Sequence, residues 1–111
     1  MECVFCQIVA GKIPSQILYQ DEDVIAFPDI DPQAPVHLLV IPKSHLPSLA
    51  QVKEPSIVTH LIEVANGLAR RQGVSESGYR VVINCGQDGG QVVPHLHLHL
   101  LGGRRLSGQM G

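Results

Sequence analysis

The chain has 111 residues, enough for one compact domain and too few for two. A formal net charge of −2 gives no electrostatic ground for a nucleic-acid partner. No apolar run approaches the roughly 20 residues that span a bilayer, and the N-terminus lacks a basic stretch followed by an apolar one, so a membrane is excluded as a partner. Hydrophobic residues make up 44% of the chain, but the only aromatics are Phe5, Tyr19, Phe27 and Tyr79, which leaves a core of Val, Leu and Ile. A domain of this size buries only ~65% of its unfolded surface, so self-association would add stability. Cys85 has no partner in sequence and reads as packing, whereas Cys3 and Cys6 form a Cys-x-x-Cys. That pattern fits a reducing compartment and a metal or redox role better than a disulfide scaffold, and predicts a cytoplasmic protein.

Val4, Phe5, Ile8 and Val9 have helical spacing and predict a short helix over residues 3–10, ended by Gly11. Residues 17–19 and 24–27 read as short strands around the polar loop Asp21-Glu22-Asp23. A proline-punctuated loop, residues 28–35, leads to a strand over 36–41, closed by Pro42. Residues 55–72 give the clearest helix. Ile57, Val58, Leu61, Ile62, Ala65, Leu68 and Ala69 line its apolar face, and His60 falls on the solvated one. Strands follow over 79–84 and 95–101, separated by a loop marked by Gly86, Gly89 and Gly90. About five strands with hairpin-length connections and one long helix predict a single α+β domain, residues 1–111, built on a five-stranded antiparallel sheet.

The chemistry concentrates in His95-Leu96-His97-Leu98-His99-Leu100-Leu101. Side chains alternate faces along a strand, so the three histidines share one face and the leucines take the other. Three imidazoles in register each need polar partners, which makes packing alone a poor explanation. Spacing alone leaves two readings open: a metal site with histidine ligands, or nucleophilic and acid–base catalysis.

His-φ-His-φ-His-φ-φ, with φ apolar, resembles the signature of the histidine triad family. The likeness extends through Ala34-Pro35-Val36-His37-Leu38-Leu39-Val40-Ile41-Pro42-Lys43-Ser44-His45, Phe27-Pro28-Asp29-Ile30, Asn84, Gly89-Gly90-Gln91 and Leu101-Gly102-Gly103-Arg104. The Leu-Gly-Gly-Arg ending is similar to the nucleotide-binding branch rather than the branch that hydrolyses dinucleoside polyphosphates.

The resemblance implies a metal-independent hydrolase of purine nucleoside phosphoramidates or acyl-nucleotides, working through a nucleotidyl-histidine and releasing a nucleoside monophosphate of the AMP or GMP type. His97 would be the nucleophile, His99 would contact the phosphate and help protonate the leaving group, and His37 would steady the triad that His95 begins. Asn84 and the backbone of Gly90, Gln91, Val92 and Val93 would hold phosphate oxygens, and Asp29 the ribose hydroxyls. Phe5, Ile8, Ile13, Phe27 and Ile30 would enclose the base. Relatives are homodimers with strands joined across the axis. A nucleotide-binding interaction protein with vestigial catalysis, a dinucleoside polyphosphate hydrolase and a catalytic metal on the triad face remain alternatives. Two departures stand out: Val92 occupies a position where relatives often carry a hydroxyl, and the tail from Ser107 to Gly111 lacks the tryptophan common in the branch.

Some relatives pair the Cys-x-x-Cys with two histidines that correspond here to His45 and His95. The resemblance therefore implies a structural zinc on Cys3, Cys6, His45 and His95, with no position left for water.

Overall fold

A computed structural model describes residues 3–109 of the chain. The expected α+β class holds. Strands β1 (Tyr19–Gln20), β2 (Val24–Pro28), β3 (Val36–Pro42), β4 (Tyr79–Val82) and β5 (Leu98–Gly102) form one sheet in the order β1-β2-β3-β5-β4. Every pairing is antiparallel. The short helix α1 spans Val4–Val9 and the long helix α2 spans Ser56–Arg71.

Both faces of the central strands are covered, which explains their unbroken apolar runs. Val24 and Ala26 of β2, Leu38 and Val40 of β3, and Leu98 and Leu100 of β5 form the main core with Leu61, Val64, Ala65, Leu68 and Ala69 of α2. The alternate residues Ile25, Phe27, Leu39 and Ile41 face the other way and form a smaller core with Phe5 of α1. Helix α1 is thus a small lid over one side of β2 and β3, next to the face on which His99 emerges from β5.

Several expected boundaries move. Ile17 is outside β1 and partly exposed. In α2, Val64 joins the core while Ile62, expected on the buried face, is exposed. Strand β4 ends at Val82, which puts Asn84 in the following loop. His95 and His97 precede β5, because its ladder with β3 begins at the pair Val40–Leu98 and Leu96 N–H donates to Leu46 O instead. The in-and-out alternation nevertheless runs on through this extended approach: Leu96 is buried in the main core, and the rings of His95 and His97 pack against Phe5 on the opposite side.

Candidate active site

A chain of hydrogen bonds fixes the proton on each histidine ring. The backbone N–H of Gln33 donates to His37 Nδ1 at 3.0 Å, so His37 carries its proton on Nε2. That Nε2 lies 2.9 Å from His99 Nδ1 and 3.3 Å from Asp29 Oδ2. Donation to His99 Nδ1 leaves the His99 proton on Nε2. Burial, reinforced by repulsion from His97 and His37 and opposed by Asp29, pushes the pKa of His99 down to about 4. His99 is therefore a neutral ring offering one N–H.

His97 is held differently. Its Nδ1 donates to the carbonyl oxygen of His95 at 2.7 Å, which leaves a lone pair on Nε2. The ring is 6% exposed and lies edge-on to Phe5, with centroids 5.2 Å apart, and to His99 at 5.0 Å. A nucleophilic nitrogen and a neutral donor thus stand side by side.

Both rings line a cleft of about 500 Å³. Its apolar part is lined by Phe5, Ile8, Ile13, Phe27 and Ile30. Phe5 and Phe27 meet edge to face at 5.6 Å. Asp29 lies at this end, with Oδ1 accepting from Asp31 N–H and Oδ2 directed to His37. Asn84, Gly90, Val92 and Val93 also line the cleft. Ile30 and Val92 are almost fully exposed at the edges. Among the described residues no Lys or Arg lines the cleft.

The glycine loop is braced from within. Asn84 Nδ2 donates to Gly89 O at 2.8 Å, and a Cβ at Gly89 would fall 2.3 Å from Cys85 O, so only glycine fits there. The side chain of Gln91 is a strut, and its backbone N–H, expected at the phosphate, donates to Gly86 O at 3.1 Å. Its Nε2 donates to Pro47 O and Val93 O, its Oε1 accepts from Gly86 N–H, and it is absent from the cleft lining.

His95 departs furthest from a shared triad face. Its ring is fully buried outside the cleft, within a cluster formed with Cys3, Cys6 and His45. Nε2 donates to Pro42 O at 2.9 Å, which leaves a lone pair on Nδ1 aimed at Cys3 Sγ (3.2 Å), Cys6 Sγ (3.5 Å) and His45 Nδ1 (3.3 Å). His45 Nδ1 lies 3.6 Å from Cys3 Sγ and 3.2 Å from Cys6 Sγ. Around a tetrahedral zinc, with bonds of about 2.0–2.1 Å to nitrogen and 2.3 Å to sulfur, such separations come to about 3.3–3.8 Å. The donor set and its spacing fit that ion.

Asp29, His37 and His99 also bring three ligand-type atoms together. Here the chemistry is less suitable, because the Gln33 N–H occupies His37 Nδ1 and leaves Nε2 protonated, with no lone pair to give.

Sequence reasoning overlooked the backbone groups of Gln33 and Pro42, whose roles depend on folded geometry. It also misread His60, whose Nε2 donates to Asp21 Oδ2 at 2.7 Å. Asp21 also accepts from Tyr19 Oη at 2.6 Å and from the backbone N–H of Asp23 and Val24. Burial raises the Asp21 pKa, but these bonds outweigh it and hold the carboxyl well below its ordinary range. Cys85 Sγ approaches Ser48 Oγ at 3.7 Å. Residues 110 and 111 of the tail lie outside the described residues, among which no helix is long and apolar enough to cross a membrane.

The HIT domain family model matches residues 10–106. Over 107 residues the chain is 45% identical to the purine nucleoside phosphoramidase of Escherichia coli strain K12, covering 95% of this chain and 90% of that protein. The structure of a HIT family hydrolase from Legionella pneumophila superposes with a TM-score of 0.96 at 44% identity, covering 99% of this chain and 100% of that one. A Zn-bound histidine triad family protein from Mycobacterium smegmatis superposes with a TM-score of 0.83 at 36% identity, covering 94% and 76% respectively.

Proposed function

This chain belongs to the HIT domain family of hydrolases, and we propose that it hydrolyses purine nucleoside phosphoramidates or acyl-nucleotides through a nucleotidyl intermediate on His97. The observation that carries this reading is the state of the two cleft histidines: His97 presents a lone pair on Nε2, and His99 presents an N–H beside it.

In the first step His97 Nε2 attacks the α-phosphorus and the bond to the leaving nitrogen or oxygen breaks. The leaving atom keeps the electron pair, steadied by a hydrogen bond from His99 Nε2–H, and takes its proton from solvent. The positive charge that develops on His97 is met by the His95 carbonyl through Nδ1–H. The second Nδ2 hydrogen of Asn84 and the backbone N–H groups of Val92 and Val93 donate to the phosphate oxygens, those of Gly90 and Gln91 being held by Gln87 O and Gly86 O. Water then attacks phosphorus, releasing the nucleoside monophosphate and restoring His97. The base lies between the apolar walls, with Asp29 at the ribose. A lining without Lys or Arg suits one phosphate and disfavours a polyphosphate bridge carrying several negative charges.

Cys3, Cys6, His45 and His95 hold a structural zinc in this reading, which ties α1 to the sheet and serves no step of the reaction. Two features favour a homodimer: the edge of β4, with Val81 exposed, and the exposed Ile62 of α2.

The test is hydrolysis of adenosine 5′-phosphoramidate by the wild type and His97→Ala, with and without a chelator. AMP release that resists chelation and falls at least a thousandfold in the variant supports the reading. Normal turnover by His97→Ala overturns the nucleophile. For the metal, elemental analysis of the reduced protein is expected to find about one zinc per chain, and its absence refutes the assignment.

A further inference from the structure

Two residues connect the cleft to the four-donor cluster. Phe5 stands between Cys3 and Cys6 in the sequence, is 7% exposed, and lines the cleft with its neighbours Val4 and Ile8. Its ring makes edge contacts with His95, at 5.8 Å between centroids, and with His97, at 5.2 Å. His95 places its ring in the cluster and its carbonyl oxygen on His97 Nδ1. A third tie runs beside them, where Leu96 N–H donates to the carbonyl of Leu46, the residue after His45.

Helix α1 rests on the sheet through Phe5, with Ile8 and Val9 packed against the same cluster. Six residues are too few to hold a helix unaided. Cys3 Sγ caps it by accepting from Cys6 N–H, there is no acidic residue in its first turn and no basic residue in its last, and Phe5 is its buried anchor. Whatever orders α1 from one side prepares the other side for its ligand, because the ordering cost is met only once.

We propose that cation binding at Cys3, Cys6, His45 and His95 and nucleotide binding in the cleft are thermodynamically coupled, with Phe5 and the main chain of His95 as the positioning elements. The inference rests on the nucleotide cleft and the zinc site argued above. A bound nucleotide presses on Phe5 and holds α1 closed, which keeps both sulfur donors in place. A bound cation holds the same helix and the 95–97 segment, which keeps the apolar wall and the His97 ring in position. Linkage requires the two effects to be equal in factor.

The test is the rate at which the zinc-loaded, reduced protein surrenders zinc to an excess of a coloured chelator, with and without saturating AMP, so that the starting state is folded in both arms. AMP is expected to slow the release by about tenfold, within the usual range of coupling between sites. Calorimetric AMP affinity of the zinc-loaded and zinc-free protein should differ by a factor that matches the shift in zinc affinity. Phe5→Leu, which keeps an apolar side chain but removes the ring contacts to His95 and His97, should bring the AMP effect on release close to one. Equal zinc affinities with and without AMP, read from equilibrium competition with the chelator, overturn the coupling alone. Failure of the loaded protein to bind AMP overturns it together with the nucleotide reading, and failure to retain zinc overturns it together with the metal site.

Discussion

The imidazole of His97 is aimed by the backbone of His95, whose carbonyl oxygen accepts its Nδ1 proton at 2.7 Å from two residues back along the chain. The acceptor is a peptide group and not a side chain, so no substitution at position 95 removes it directly. What substitution can change is the position of that peptide, which depends on the His95 ring and its partners.

His99 depends on a side chain. Without the Nε2–H of His37, nothing keeps the His99 proton on the cleft-facing nitrogen. His37→Phe, which keeps an aromatic ring but removes both nitrogens, is expected to lower kcat by about 10- to 100-fold with little change in KM, at the lower end of what a positioned proton donor contributes. Steady-state kinetics with adenosine 5′-phosphoramidate check this. Unchanged kcat would remove His37 from the relay.

The low pKa of His99 links stability to pH. A histidine of the unfolded chain takes up its proton near pH 6.5, whereas folded His99 refuses one until about 4. The unfolded state therefore binds more protons between these values, and stability that is complete above pH 6.5 declines as the pH falls toward 4. His99→Gln should show a shallower decline. Urea unfolding at pH 6.5 and 4.5 measures both slopes, and equal slopes would refute the assignment.

Asp21 binds the β1–β2 turn to α2, with Tyr19, His60 and two backbone donors converging on one carboxylate. Asp21→Ala leaves those donors unmet and is expected to cost about 2 kcal/mol by chemical denaturation. Because the folded carboxyl is held low, its contribution is present above about pH 4 and lost only in stronger acid. Turnover should survive the substitution, since Asp21 is not part of the cleft lining.

Val92 exposes an apolar side chain at the cleft, beside the backbone proposed to hold the phosphate. Val92→Ser adds a hydroxyl donor at that edge and is expected to raise kcat/KM for the phosphoramidate several-fold, leaving AMP affinity unchanged. A ratio of one, measured with both ligands, would show that position 92 does not meet the leaving group.

Much of this architecture was legible because it follows short-range periods. Leu96, Leu98 and Leu100 alternating with His95, His97 and His99 announced which side would be core before any fold was known. The same reasoning overextended the strand, since alternation persists in any extended chain, whereas the ladder stops where its partners stop. Pro42 closes β3 and has no N–H, and Leu96 finds its acceptor on the Leu46 carbonyl. His60 was misread for a related reason: its partner lies 39 residues away, and helical spacing carries no information about that. Gln91 fell within a motif, but only the folded loop shows its amide turned toward Pro47 and Gly86 rather than the cleft.

The paired cores on either side of the central sheet make this site sensitive to parity. Leucine and histidine have opposite destinations, and residue number alone decides which goes where. Deleting one residue between Pro94 and Leu98 would send imidazoles into the space packed by α2 and leucines toward the opposite face, costing stability and chemistry together. Loss of two would restore the alternation while shifting each histidine by one repeat. Length variation in this segment is therefore constrained to even steps, a restriction that amino-acid substitution at the same positions does not share.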